Sequence, residues 1–389
     1  MLPLAERSAA TWRYGVARCK LLRAAFLFFA VIAVTLVAFY RTSQPDRPTT
    51  RSAKNGTSLP IEFASTIIND NVKRNNSATT AMAAAAGNKA IGGKQGVILS
   101  VDFKGGIGNQ LFMYAALAGI AEELGFDARI PDTLPVRSMF NLTLNTIPDQ
   151  WEATNRPVML MEGKKFGSRD ESLLFHLSEL RGIGKGRKWK GREGKRKGSD
   201  AVIYGYLQSW TYFSNISERL RRELTFRDEI GDEAARILRA CRRGNDGSPL
   251  VGIHVRRGDL QALHSEGYRT GDVDFFRRAI AHFRGGDQDG GPTPTPTFVV
   301  ASDDVQWCVE NLQNLHPSIV FLTGNTAAVD MSVISQCDHV IYDVGSYGWW
   351  CGWLSSGQVL YMENFAERDS KIARGTIREE YFLPQWLGL

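Results

Sequence analysis

Two adjacent arginines, Arg256 and Arg257, stand between an apolar run over residues 250–255 and a turn glycine, Gly258, which Asp259 follows. A guanidinium group presents planar N–H donors that match phosphate oxygens in pairs, so two of them delivered into one turn suit the gripping of an anion. The plainer reading of the same residues is a structural Arg–Asp pair. Residues 250–255, apolar except for His254, read as a short buried strand. In open α/β sheets, ligands bind beyond the carboxyl ends of the strands.

Two further stretches offer anion-binding chemistry. Residues 97–103 read as a strand, 104–110 as a glycine-rich turn, and 111–124 as an apolar helix ended by Gly125. A strand, a glycine turn and a helix together bring free backbone N–H groups and a positive helix end to one place. The spacing Gly105, Gly106, Gly108 is not the dinucleotide fingerprint, and no Walker lysine follows. Tight turns also need glycine for their own sake. Near the carboxyl end, a strand at 339–343 runs into Gly345-Ser346 and a helix over 346–355. Ser346 and the N–H groups behind it form a second possible phosphate cradle. Asp330 heads the preceding helix, read over 330–337. Its carboxylate can accept two hydrogen bonds, as a guanine edge would offer, or serve as an ordinary helix cap. Asp272-Val-Asp274 has the look of a metal-binding Asp-x-Asp, but Asp272 precedes an apolar-periodic run and is more simply an N-cap. Asp287-Gln-Asp289 lies in a Gly/Pro-rich loop and is discounted likewise.

The elements around these residues alternate. From residue 250 onward, strands are expected at 250–255, 298–301, 319–322, 339–343 and 358–362. Helices are expected at 273–284, 304–312, 330–337 and 346–355. That pattern is a doubly wound parallel sheet. The chain is read as α/β with two Rossmann-like domains facing a cleft, 96–245 and 246–389. Within the first, residues 201–207 read as a strand, followed by helices at 214–224 and 228–242. Residues 163–199 read as a basic insertion. Residues 181–198 hold nine Lys/Arg against one Glu, an excess larger than the +6 of the whole chain, so the net charge is local. A solvated surface loop explains that segment more simply than a nucleic-acid patch.

Ahead of the globular part, Ala24 to Tyr40 is an uncharged apolar run flanked by Arg23 and Arg41. Its length is at the short end of what spans a bilayer, and it ends in an aromatic anchor rather than a small-residue cleavage site. Residues 1–22 are read as a cytoplasmic tail, 23–40 as one transmembrane signal-anchor, and 41–95, rich in Ser, Thr, Asn and Ala, as a stem. Four glycosylation sequons, at Asn55, Asn75, Asn141 and Asn215, all follow the anchor. They place the globular part in the lumen, and a short anchor suits a thin internal membrane such as the Golgi. A protein there meets no nucleic acid. Cys241, Cys308, Cys337 and Cys351 would face an oxidising compartment, and four cysteines leave three full pairings open.

The combination Gly106-Ile-Gly-Asn-Gln-Leu-Phe112, Gly205-Tyr-Leu-Gln-Ser-Trp210, His254-Val-Arg-Arg-Gly-Asp259, Ser302-Asp-Asp304 with Trp307-Cys308, and Asp330 with Cys337-Asp-His339 and Gly345-Ser-Tyr-Gly-Trp-Trp350 resembles the α1,2-fucosyltransferase family. Phe382-Leu-Pro-Gln-Trp386 extends the resemblance, which runs in order over residues 97–389. It implies a two-domain GT-B architecture, a GDP-fucose donor, a β-galactoside-terminated glycan acceptor, and neither a cofactor nor a metal. By the same resemblance, His254 and Asp330 contact the nucleoside and Asn109 lies near the fucose. Arg256 then takes the pyrophosphate with help from Ser346, while Arg257 either joins it or braces Asp259. No residue declares itself as general base, and Asp259, His264 and Glu266 are the candidates. The sequence departs from the family at Leu260, where an aromatic residue is usual, and at Asp343-Val344 before the glycine. A fucosyltransferase of another linkage or peptide acceptor, and an inactive lectin-like homologue, are the competing readings.

The topology has a direct check. Endoglycosidase treatment of the full chain is expected to raise its gel mobility, and protease added to sealed microsomes is expected to spare the globular part. Unchanged mobility together with protease sensitivity would reverse the assignment.

Overall fold

The computed structural model describes residues 96–163, 167–182, 199–242, 247–284 and 295–389. The expected anchor, the stem, Asn55, Asn75, Asp287-Gln-Asp289 and most of the basic stretch lie outside the described residues. Among those described, no helix is long and apolar enough to cross a membrane.

Two parallel sheets carry the chain. The first joins β1 (Ile98–Val101), β2 (Asp127–Pro131), β3 (Asn145–Ile147), β4 (Val158–Met161) and β5 (Ala201–Tyr204) in the order β3-β2-β1-β5-β4. The second joins β6 (Leu250–Val255), β7 (Thr297–Ser302), β8 (Ile319–Phe321), β9 (His339–Tyr342), β10 (Val359–Tyr361) and β11 (Leu387–Gly388) in the order β11-β10-β9-β6-β7-β8. Every strand pair within each sheet is parallel. The central strands β1 and β6 are buried along their whole length. This is what an unbroken apolar run does when both faces of a sheet are covered.

Seven α-helices of eight residues or more stand among the described residues: α1 (Ile107–Leu124), α2 (Glu171–Arg181), α3 (Asp228–Cys241), α4 (Val273–His282), α5 (Val305–Leu312), α6 (Ala327–Ser335) and α7 (Ser346–Leu354). Three of them correct the sequence reading. First, α1 begins four residues before the expected 111, so only Lys104 to Gly106 remain as turn and Asn109 sits in the first helical turn. Second, α2 lies inside the expected insertion 163–199. Leu173, Leu174, Leu177 and Leu180 are buried along its inner face, and Asp170 caps its start. That leucine spacing is helical, but the Lys/Arg run beside it dominates the local composition. Third, α3 falls in the expected first domain yet packs on α6 of the second sheet. The described residues within Ile91–Leu389 form one compact unit holding both sheets. Cys241, Cys308, Cys337 and Cys351 are free thiols, the last three of them buried.

The two sheets are joined through their helix starts. A Cβ built on Gly108 in α1 would lie 2.4 Å from the Ser346 carbonyl carbon and 2.5 Å from the Tyr347 nitrogen in α7. Only a glycine lets the two backbones approach so closely. Behind that contact, Phe112 of α1 packs 4.4 Å from Trp349 and 5.3 Å from Trp350 of α7, ring centre to ring centre. Phe213 stacks on Trp350 at 5.7 Å, and Trp386 meets Trp349 at 5.2 Å. Phe112, Phe213, Trp349 and Trp350 are fully buried. Aromatic packing of this kind contributes about 0.5–1.5 kcal/mol per pair beyond area burial, and so makes the junction rigid.

Gly108→Ala is expected to lower stability by about 1–3 kcal/mol, the scale of forced overpacking. Gly231→Ala in α3 meets nothing within 4 Å and is expected to raise stability by up to about 1 kcal/mol through helix propensity. Thermal melts of the two variants check this. A Gly108→Ala protein that melts with the wild type would mean that the helix starts part freely.

Candidate active site

A cleft of about 740 Å³ opens where the two helix starts meet, lined from both sheets. One wall carries Gly105, Gly106, Gly108 and Asn109 from the turn and first residues of α1, with Tyr206 and Gln208 from the turn after β5. The other carries His254, Arg256 and Asp259 from the end of β6, Asp330 from α6, and Ser346 and Tyr347 from α7. Of the catalytic and donor-binding residues proposed from the sequence, all but Arg257 line this cleft; the sequons Asn141 and Asn215 lie elsewhere, both exposed.

Two helix N-termini meet in it. In α1 the first intrahelical donor is Gln110, whose N–H reaches the Gly106 carbonyl at 3.1 Å. Ile107, Gly108 and Asn109 therefore keep N–H groups with no partner inside the helix. In α7 the corresponding bond is Trp349 to Gly345 at 3.2 Å, which leaves Ser346, Tyr347 and Gly348 in the same position. Gly345 turns the chain into α7 with φ 94°, a left-handed value that a β-carbon disfavours. Such paired helix ends form a ready place for an anion.

The side chains at this point are cross-linked between the two halves. The Ser346 hydroxyl donates to Asn109 Oδ1 at 2.6 Å, and Gln208 Nε2 donates to the same oxygen at 2.7 Å. Gln208 is held in turn by the geometry of its loop. Leu207 is fully buried with φ 51°, and its N–H donates to Glu162 Oε2 at 3.0 Å. A left-handed leucine costs roughly 1–3 kcal/mol and persists only where its surroundings impose it. It also ends β5 at Tyr204, short of the expected 207. Burial pushes the Glu162 carboxyl up to about 7, against the Leu207 and Tyr206 N–H donors.

Arg256 is the arginine that enters the cleft. Its backbone N–H donates to Asp343 Oδ1 at 3.0 Å, and its guanidinium pairs with both Asp259 and Asp303. Arg257 does not reach the cleft. Its guanidinium carbon lies 3.8 Å from the centre of the Trp307 ring and its side chain is only 15% exposed, with Asp304 at 3.8 Å. The expectation that Arg257 braces Asp259 is therefore corrected, since Arg256 makes that pair. Consecutive residues leaving a strand point to opposite sides, so one arginine faces the cleft and the other packs behind it.

Asp330 also differs from its expected place. Thr326 caps α6, its hydroxyl accepting the Val329 N–H at 3.3 Å, and Asp330 lies a turn further in. Its Oδ1 accepts from Asn325 Nδ2 at 2.9 Å, and burial raises its carboxyl above the usual range. His254 is buried, with its ring 4.7 Å from that of Tyr347. Burial and the Arg256 charge push its imidazole down to about 3, so it is neutral at physiological pH. Asp259, His264 and Glu266 share the 3-10 segment Gly258–Glu266, and of the three only Asp259 lines the cleft. The Asp272 side chain accepts the Phe275 N–H at 2.8 Å as the cap of α4, and Asp274 pairs with Arg277.

Two carboxylates that matter here are given no role by the sequence alone. Asp343 is fully buried, and it accepts the N–H groups of Arg256 and Gly271 at 3.0 Å and of Val344 at 2.7 Å. It ties the end of β6 to the loop before α4 and to the start of α7. Burial pushes its carboxyl up to about 7 despite those donors. Asp303, directly after β7, accepts the Arg257 backbone N–H at 2.8 Å and also holds Arg256. The Ser-Asp-Asp triplet was a visible signal for Asp303. Nothing local marks Asp343, whose role depends on three segments meeting.

Residues 191–389 match the family model described as glycosyl transferase family 11. The chain is similar to galactoside alpha-(1,2)-fucosyltransferase 1 of Oryctolagus cuniculus, 30% identical over 297 residues that make up 73% of this chain and 71% of that protein. It is likewise similar to galactoside alpha-(1,2)-fucosyltransferase 2 of the same species, 29% identical over 75% of this chain and 76% of that one. Among solved structures, it aligns with the NodZ alpha-1,6-fucosyltransferase soaked with GDP-fucose, with a TM-score of 0.42 and 17% identity over 69% of this chain and 96% of the other. On the matched residues and the similarity spanning both sheets, the chain belongs to glycosyl transferase family 11.

Proposed function

We propose that this protein transfers L-fucose from GDP-β-L-fucose to the 2-hydroxyl of a terminal β-galactose, with inversion and without a metal. We place it as a type II protein of the Golgi membrane with its catalytic part in the lumen. The observation that carries the reading is the position of Arg256. It stands at the carboxyl end of β6, in the same cleft as the open starts of α1 and α7. The names of the relatives at about 30% identity support the transferred sugar, the galactoside acceptor and the linkage.

The chemistry is set by where charge develops. As the fucosyl–phosphate bond breaks, the electron pair goes to the leaving β-phosphate and the sugar takes on oxocarbenium character. Arg256 and the N–H groups at the two helix starts are fixed before the reaction, so they stabilise that charge without reorganising. Ser346 and Asn109, bonded to each other, lie where the transferred sugar meets the phosphate. His254, neutral, and Asp330 line the nucleoside end. The acceptor hydroxyl attacks from the face opposite the leaving group, which inverts the anomeric centre. Asp259, the cleft-lining member of the three base candidates, takes its proton. The metal-free reading rests on this arrangement and on Asp272 and Asp274 being engaged in a helix start.

The deciding experiment incubates the purified chain with GDP-fucose and a β-galactoside in the presence of EDTA, with product linkage read by NMR. An α1,2 product is expected. A different linkage would overturn the acceptor assignment, and activity that EDTA abolishes and manganese restores would overturn metal independence.

Arg256→Lys keeps the charge but loses the two-donor fork. It is expected to lower kcat by about 10²–10³, the scale of losing one preorganised donor. Donor KM should rise less than kcat falls, because the lost interaction is strongest in the transition state. Steady-state kinetics beside a thermal melt check this. Near-normal kcat with an unchanged melt would make Arg256 a structural strand-end residue.

A further inference from the structure

The donor reading leaves one feature of Arg256 unexplained: both its terminal nitrogens are already occupied. Nη1 donates to Asp303 and Nη2 to Asp259. Two carboxylates on one guanidinium leave the group net negative, so a diphosphate arriving at Arg256 with both in place meets repulsion. The two partners are held very differently. Asp303 sits directly after β7 with its side chain 29% exposed, and its other oxygen is fixed by the Arg257 N–H at 2.8 Å. It lies so close to the chain at Gly258 that a Cβ there would be 2.4 Å from Asp303 Oδ2. Asp259 is 71% exposed on the 3-10 segment, and Arg256 is its one side-chain partner among the described residues.

Resting on the GDP-fucose reading, we propose that the diphosphate of the donor takes the place of Asp259 on Arg256 while Asp303 keeps its hold. Asp303 is then the residue that positions Arg256 in the loaded site, and Asp259 is the carboxylate set free by donor binding. Arg256 is suited to such an exchange. Its backbone is pinned by the buried Asp343, so changing one partner need not move the chain. Releasing Asp259 into the cleft only when donor is present also makes the proposed base available in step with its substrate.

The test is GDP binding by the full chain, measured by titration calorimetry at low salt, where exposed charges are least screened. Asp259→Asn removes a competitor for Arg256 and is expected to tighten GDP roughly two- to fivefold, the scale of an exposed ion pair, with the gain shrinking as salt rises. Asp303→Asn keeps an oxygen for the Arg257 N–H but weakens the hold on the guanidinium. It is expected to loosen GDP by a comparable factor, with the melt of the unliganded protein unchanged. Unchanged or weaker binding by Asp259→Asn would overturn the exchange, and this arm stands alone because the residue is on the surface. Tighter binding by both variants would mean that the carboxylates merely repel the ligand, and Asp303 would lose its positioning role. A wild-type chain that binds no GDP would bring down the donor reading as well, whereas GDP bound equally by all three proteins would bring down this proposal alone.

Discussion

The close contact of two helix starts, made through Gly108 against Ser346 and Tyr347, is the constraint on which the rest depends. It brings the open ends of α1 and α7 to the same point. It also sets Asn109 within 2.6 Å of Ser346, a residue 237 positions away. The aromatic cluster behind it, Phe112, Phe213, Trp349 and Trp350, makes the geometry hard to change, since densely packed interiors transmit strain rather than absorb it. An anion bound here therefore touches both sheets through groups that are already in place. The site's rigidity comes from packing, and the backbone N–H groups of the two helix starts stand in place beside Arg256.

The electrostatic setting of the cleft follows from burial more than from net charge. His254 is kept neutral and Asp343 is pushed up to about 7, each chiefly by loss of water. The Arg256 guanidinium in the cleft is balanced by two carboxylates. The positive potential that an anion meets is thus largely that of the helix ends. The basic stretch that dominates the sequence's charge is not needed to account for it.

Much of this was legible in the sequence. Leu250–Val255 reads as a buried strand because an apolar run bounded by a charged turn has few other ways to fold. The motifs around Asn109, His254, Arg256, Asp330 and Ser346 name residues that the fold does bring to one cleft. What escaped depends on tertiary placement. Which of two adjacent arginines faces the cleft turns on the direction of a single residue, and Trp307 decides it by stacking on Arg257. Strands β2 and β3 each bury one residue, so they leave almost no hydrophobic pattern to read. The helices α1 and α6 start earlier than their apolar patterns indicate, because α6 is capped by a threonine inside a polar stretch and α1 by a glycine. Asp343 needed three converging backbone segments to show its purpose.

One tie between distant parts of the chain bears on its biogenesis. The Ser209 hydroxyl donates to the Glu380 carbonyl at 2.8 Å, Trp210 Nε1 donates to the Glu379 carbonyl at 3.1 Å, and the Arg169 N–H reaches the Glu380 carboxylate at 2.6 Å. The turn that presents Gln208 to the cleft is thus clasped by a segment synthesised some 170 residues later. At about 5–20 residues per second, that separation is on the order of ten seconds or more of translation. During that interval β1 to β5 can pair and Phe213 can meet Phe112, but the turn lacks its clasp and Phe112 lacks Trp349 and Trp350. Until α7 is made, Phe112 and Phe213 are without the tryptophans that bury them in the finished fold, so the first sheet is completed only after the second has been synthesised.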